Sequence, residues 1–400
     1  MFGDSRRFRS GQWAAALAAF AVAVAGARAA LSKDEMPGER PPSPALEAAR
    51  RFADSIRNDE NDRARSLQRV SEAYLERGDP VRAAAVCADL SHWRAVCVLA
   101  DVAAEYAATG RDAEARRLLS DAVALGKDVH DWPQDRIQMH IALALALLGE
   151  DDVLRAMQGR YDGVRDYRSR ARAARALALA RAGRPDEAVA LLKEITGDAF
   201  FDGFYDTLIW RVRGFLQLAD RKRLSGDRAA QYLNEAWEGS AAVPDYQRVP
   251  LRCEIVDASI ALGERDLAGK RLTETTDELL AMNLVPHIAA PLIARCGRSW
   301  GRLGRTARLA ELERTAEPMI AEIMSIERPD VWAAWGEAWA AAGDRAAAVD
   351  RFGRAFAGAH ELANPRPRAL AGVAVCLAMA RADIEDAGLT AAIERLAGTF

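Results

Sequence analysis

Residues 332–355 read WAAWGEAWAAAGDRAAAVDRFGRA. Two helix-forming runs flank Gly343-Asp344. Before that pair, Trp332, Trp335, Gly336 and Trp339 recur at helical spacing; after it, Ala348, Phe352 and Ala355 do. Glycine tolerates positive φ just past a helix end, and aspartate then suits the start of the next helix. The stretch therefore predicts a helical hairpin. Gly336 and Ala348 are small where its two helices would approach closely, and the Trp and Phe side chains would fill the space between neighbouring hairpins.

The same punctuation recurs on the N-terminal side. Gly78, Gly110, Gly149, Gly183, Gly226, Gly263, Gly304 and Gly343 are separated by 32, 39, 34, 43, 37, 41 and 39 residues. Polar or acidic residues follow most of them, as in Gly78-Asp79-Pro80 and Gly183-Arg184-Pro185-Asp186. The flanks fit helices. Ile141–Leu148 is wholly apolar and too short to span a membrane, so it reads as a helix buried on more than one face. Ala188, Leu191, Leu192 and Ile195 follow Gly183 at helical spacing. No single hairpin can bury its apolar face alone, so the units must stack. Gly301-Arg302-Leu303-Gly304 reads as a turn.

Trp332-x-x-Trp335-Gly336-x-x-Trp339, the Gly343 turn, Ala348-x-x-x-Phe352 and Ala355 resemble the tetratricopeptide repeat, whose first helix carries W-x-x-L-G-x-x-Y. Tyr74, Gly78 and Ala83 keep its aromatic–turn–small spacing, as do Tyr106, Gly110 and Ala115. Ala176, Gly183 and Ala188 keep small–turn–small, whereas Leu154, Gln231 and Leu309 stand where a small residue belongs. The resemblance implies an all-α fold over 59–400: a right-handed α-α superhelix, or solenoid, of about eight or nine hairpins. In that family the first helix of each hairpin lines the concave face. Carried over through the turn glycines, that face points to Arg170, Arg181, Asp257, Arg298, Arg302, Asp330 and Glu337. Ala173, Ala180, Ala294, Ala333 and Ala340 would form the floor between them. A groove of this kind implies a protein or peptide segment as partner.

Composition agrees with helix and excludes several functions. The chain has 400 residues, 85 of them Ala, and 50 Arg against 5 Lys. Ala and Arg are good helix formers. With 55 Lys+Arg against 58 Asp+Glu, no basic excess exists to neutralise the phosphates of a nucleic acid. Half the residues are hydrophobic, which excludes a disordered chain.

Residues 1–29 read as a secretory signal peptide: Arg6, Arg7 and Arg9, an uncharged run from Trp13 to Ala27, and a small-residue site at Ala27-Arg28-Ala29. The run is short of the ~20 apolar residues a membrane span needs. Cleavage would leave no span, and the protein is expected in the periplasm. Pro37, Pro41, Pro42 and Pro44 then mark residues 30–58 as a Pro-rich linker.

Local chemistry is sparse. No two of His92, His130, His140, His287 and His360 lie three or four residues apart, and none accompanies a short-spaced Cys pair, so no metal site is expected. No phosphate-binding glycine loop and no Gly-x-Ser-x-Gly elbow occurs, so neither cofactor nor catalysis is expected. Cys253, Cys296 and Cys376 read as buried free thiols. Cys87 and Cys97 flank His92 symmetrically between two helices, over about 81–90 and from about Arg94, and are expected to form a disulfide if both side chains point inward. Seven Arg lie between Arg165 and Arg184, read as a solvated face or an anion site. Phe200, Phe201, Phe204, Tyr205 and Trp210 read as core between hairpins or as a pocket for a small ligand or glycan. That pocket is the first alternative to a scaffold, and an enzyme of unrecognised type is the second.

Overall fold

The computed structural model describes residues 42–87, 90, 92–130, 132–154, 165–196, 206–220 and 228–400. The expected signal peptide, Phe200, Phe201, Phe204, Tyr205 and the Gly226 turn lie outside these residues. Among the described residues every regular element is an α-helix: α1 (Pro44–Asp54), α2 (Glu60–Glu76), α3 (Pro80–Cys87), α4 (Trp93–Ala108), α5 (Asp112–Gly126), α6 (Trp132–Leu147), α7 (Arg165–Arg181), α8 (Pro185–Lys193), α9 (Asp206–Ala219), α10 (Ala229–Ser240), α11 (Asp245–Ala261), α12 (Arg265–Ala281), α13 (Pro286–Arg302), α14 (Thr306–Glu322), α15 (Arg328–Ala341), α16 (Arg345–Glu361), α17 (Pro365–Ala382) and α18 (Ala387–Ala397). They belong to two compact units. One contains Asp59–Leu148; the other contains Ser43–Asn58 together with Gly149–Phe400.

Seven of the eight expected turn glycines, Gly78, Gly110, Gly149, Gly183, Gly263, Gly304 and Gly343, have positive φ. The hydrogen bonds explain why glycine is needed. At the turn after α15, the N–H of Asp344 donates to the carbonyl of Trp339 and that of Gly343 to Ala340. This closure satisfies the orphan carbonyls of the helix end and needs a left-handed residue at Gly343. Asp344 then caps α16, its carboxylate accepting from the N–H of Ala347 at 2.9 Å. The turn between α17 and α18 is made the same way, but with Asp383 at φ 53 in place of glycine. Aspartate is among the few non-glycine residues that enter this region readily.

Within each unit the hairpins stack through their first helices. In Asp59–Leu148, α4 packs on α2, α5 and α6. In the larger unit, α7, α9, α11, α13, α15 and α17 each pack on the next, while α8, α10, α12, α14 and α16 back them. The decisive sequence stretch behaves as its pattern requires. Trp335 and Phe352 are fully buried. A Cβ on Gly336 would stand 2.7 Å from the Phe352 ring, and one on Gly297 would stand 2.8 Å from Trp335. Gly301 is tighter still, because its Cβ would run into the carbonyl oxygen of Ala338. Gly301 is thus a helix-packing residue inside α13 whose carbonyl also accepts from the N–H of Gly304, the left-handed residue of the turn.

The linker expected over 30–58 is also corrected. Residues 44–54 are the helix α1, which packs on α17. Pro44 occupies the first helical turn, where its missing N–H costs nothing. Leu46, Ala49, Phe52 and Ala53 form a buried stripe. Phe52 faces Gly372, where a Cβ would stand 2.9 Å from its ring, and Arg51 binds Glu394 at 2.7 Å.

Candidate functional site

Four of the seven residues expected on the binding face form one charged ladder. Arg298 and Arg302 lie four residues apart on α13, hence on one side of it. Arg302 reaches back to Asp257 on α11 at 2.8 Å, and the hydroxyl of Ser299 donates to the same carboxylate at 2.9 Å. Arg298 reaches forward to Glu337 on α15 at 3.1 Å, where Arg381 of α17 also arrives at 2.6 Å. One turn before Arg298, Arg295 binds Glu254 of α11 at 3.0 Å. The ladder thus crosses four successive first helices.

Its burial is graded. The Glu337 side chain is only 8% exposed, whereas those of Arg298 and Arg381 are each 32% exposed. Burial lowers the pKa of Arg298, although the Glu337 carboxylate works against it. Guanidiniums stay charged at any ordinary pH, so the cationic side of the ladder is permanent. It can fix the spacing of the helices and exchange its outer hydrogen bonds with an incoming carboxylate or peptide group.

The other three residues lie elsewhere on first helices. Asp330 is exposed in the first turn of α15. Arg170 lies on α7 with its guanidinium 4.3 Å from the Trp210 ring centre, a stacking contact with α9. Arg181 is half-buried in the last turn of α7. The alanine floor is corrected in part. Ala173, Ala294 and Ala333 are buried at 2% exposure or less, so they form helix–helix contacts instead of a groove surface. Ala180 and Ala340 are half-buried.

The smaller unit holds a polar group that sequence reasoning missed. The Nδ1 of His140 on α6 lies 2.7 Å from the Asp101 carboxylate on α4. Burial pulls the His140 pKa down, but the charge and hydrogen bond of Asp101, helped by Cys97, raise it well above the ordinary value. Burial, then the nearby charge of Asp101, raises the pKa of Glu72 on α2. Gln68 donates to Glu72 at 3.0 Å and accepts from Arg94 at 2.8 Å. These groups also join successive first helices. A His140 held as imidazolium is a clamp on Asp101 rather than a base, and Cys97 is fully buried beside it. The only sequence signal was position: Asp101 and His140 lie 39 residues apart, the spacing of a repeat.

Cys87 and Cys97 are both buried free thiols, so the expected disulfide is not formed in the structure. Cys87 ends α3 with its sulfur 3.8 Å from the Ala95 carbonyl oxygen, while Cys97 is turned to His140. Among the described residues, no group of three His, Cys, Asp or Glu side chains is placed to hold a metal, and no helix is long and apolar enough to cross a membrane. A cleft of about 580 Å³ opens beside Thr273, Trp300, Arg305 and Arg308, but Arg308 is already engaged by Asp277 and Glu311. No protein-family model matches the chain, and no curated protein does either.

Proposed function

We propose that the protein is a non-catalytic scaffold that binds a protein or peptide segment on the face made by its first helices. The hairpins would form a right-handed superhelix of tetratricopeptide type, about eight or nine units long, with that face concave. Residues 1–29 would direct export to the periplasm and be removed. The observation that carries the reading is the ladder Asp257–Arg302–Arg298–Glu337–Arg381. It runs across four stacked helices with its arginines about a third exposed. An extended chain laid across such a stack meets alternating donors and acceptors at regular intervals. Exposed pairs contribute only about 0–1 kcal/mol each, so affinity should be modest and fall with salt.

Charge reversal of the arginines alone would place acids beside Glu337 and unsettle the fold. The swap Asp257→Arg/Arg302→Asp keeps the pair and inverts the local field. Random peptides selected on the wild type are expected to bind the swapped variant at least about tenfold more weakly, and to lose affinity with salt. Peptides that bind both equally would remove the ladder from the recognition surface. Selection of no peptide at all would reject the scaffold reading.

A further inference from the structure

The larger unit contains a thiol pair that the expected cysteine pairing overlooked. Cys253 on α11 and Cys296 on α13 have their sulfurs 3.7 Å apart, in contact but unbonded, and both side chains are at most 1% exposed. They lie on adjacent first helices, 43 residues apart in the chain. Cys253 stands one turn before Asp257, and Cys296 one turn before Ser299, the two residues whose side chains bond at 2.9 Å. The thiol pair is therefore the next rung of the same ladder, one turn deeper along both helices. Cys87 ends on a backbone carbonyl, Cys97 is turned to His140, and Cys376 is buried within the field of Arg51. Cys253 and Cys296 have their sulfurs facing each other.

We propose that Cys253 and Cys296 are the site of a disulfide that closes while the hairpins dock, locking α11 to α13 and fixing the spacing of the charged face. A disulfide needs the sulfurs at about 2.05 Å, so they must approach by about 1.7 Å, within reach of side-chain rotation on helices already in contact. The oxidant is a disulfide donor, either a thiol oxidase or a small-molecule disulfide. One cysteine, as thiolate, attacks a donor sulfur and expels the first donor thiolate. The second cysteine, as thiolate, attacks the protein-side sulfur of the mixed disulfide and expels the other. Two electrons pass to the donor, the two expelled thiolates take up the two thiol protons, and one S–S bond forms as one breaks.

Burial sets the timing. In the docked stack no donor reaches either sulfur, and the neighbouring Cys296 together with burial raises the Cys253 pKa well above the ordinary value. The thiolate that attacks is scarce there. The bond must form before α11 and α13 close, or when they separate, and once formed it is shielded from reductant in the same way.

The test is refolding of the full chain with oxidised and reduced glutathione, followed by acid quench, alkylation and non-reducing peptide mapping. The expected result is one linked pair, Cys253 with Cys296, and alkylated Cys87, Cys97 and Cys376. Folded, reduced protein given the same buffer should oxidise at least about tenfold more slowly than refolding protein. The oxidised chain should melt several degrees above the reduced one, and Cys253→Ser and Cys296→Ser should each abolish that difference while keeping the helical circular-dichroism signal. Full alkylation of both cysteines after oxidative refolding, or a link from either to a different cysteine, would overturn the proposal. Equal melting temperatures of linked and reduced chains would overturn the locking role.

Discussion

The α4/α6 contact in the smaller unit and the α13/α15 contact in the larger one join first helices of successive hairpins by different means. At α13/α15 the backbones touch: Gly301 meets the carbonyl of Ala338, Gly297 meets Trp335, and Arg298 binds Glu337. At α4/α6 the polar join is Asp101 with His140, an ion pair that exists only while the imidazole holds its proton. Geometry alone does not separate these contacts, since both are first-helix pairs one hairpin apart. Chemistry does. One polar join is backed by close backbone packing and a guanidinium that stays charged, and the other depends on the protonation of an imidazole.

The largest expected effect lies where shape decides. Gly301→Val pushes a side chain into the Ala338 carbonyl, which no rotamer relieves, so unfolding free energy should fall by about 3 kcal/mol or more. A urea-denaturation midpoint close to that of the wild type would show that α13 and α15 are not held this tightly. Glu337→Ala comes next. It strands Arg298 and Arg381 against a nearly buried position, and because both arginines are about a third exposed the cost is discounted to about 2 kcal/mol. Chemical denaturation at low and high salt checks it; a loss under about 0.5 kcal/mol at both would make the ladder decorative.

His140→Gln sharpens the contrast by removing the conditional join. The His140 pKa is raised in the folded chain, so its stabilising effect is complete below the unfolded value of about 6.5 and disappears as pH rises through the folded value. The variant should lose about 1–2 kcal/mol at the acidic end of that range, the size of one charge-assisted hydrogen bond, and lose less as pH rises. Denaturation of wild type and variant across that range would reveal parallel curves if the pair contributes nothing. The smallest effect tests what the two units share. Gly78 and Gly343 both have positive φ and open space around the missing Cβ, so Ala at either should cost about 1 kcal/mol, equally in the two units.

What the sequence showed follows the same division between local and distant causes. The turn glycines were legible because a left-handed helix end is a local demand that few residues meet. The Trp332–Ala355 hairpin was legible because small and large residues alternate at one fixed spacing. Asp383 escaped notice because aspartate is ambiguous between a cap and a left-handed turn. α1 was hidden by prolines that read as a linker although Pro44 begins a helix. Gly301 was hidden by its neighbour Gly304. Asp257, Arg298, Arg302 and Glu337 were found from hairpin position alone, but not that they bind each other. The Asp101–His140 and Cys253–Cys296 pairs were missed because partners from different hairpins leave no local trace.

Segment-resolved hydrogen exchange from about pH 6 upward through the His140 titration, read as protection factors, tests the conditional and permanent joins together in one sample. Deprotonation of His140 should lower protection in α4 and α6 as pH rises, while α11, α13 and α15 keep theirs. Equal loss in both sets of helices, or unchanged protection in α4 and α6 over the whole range, would contradict the distinction between the two contacts.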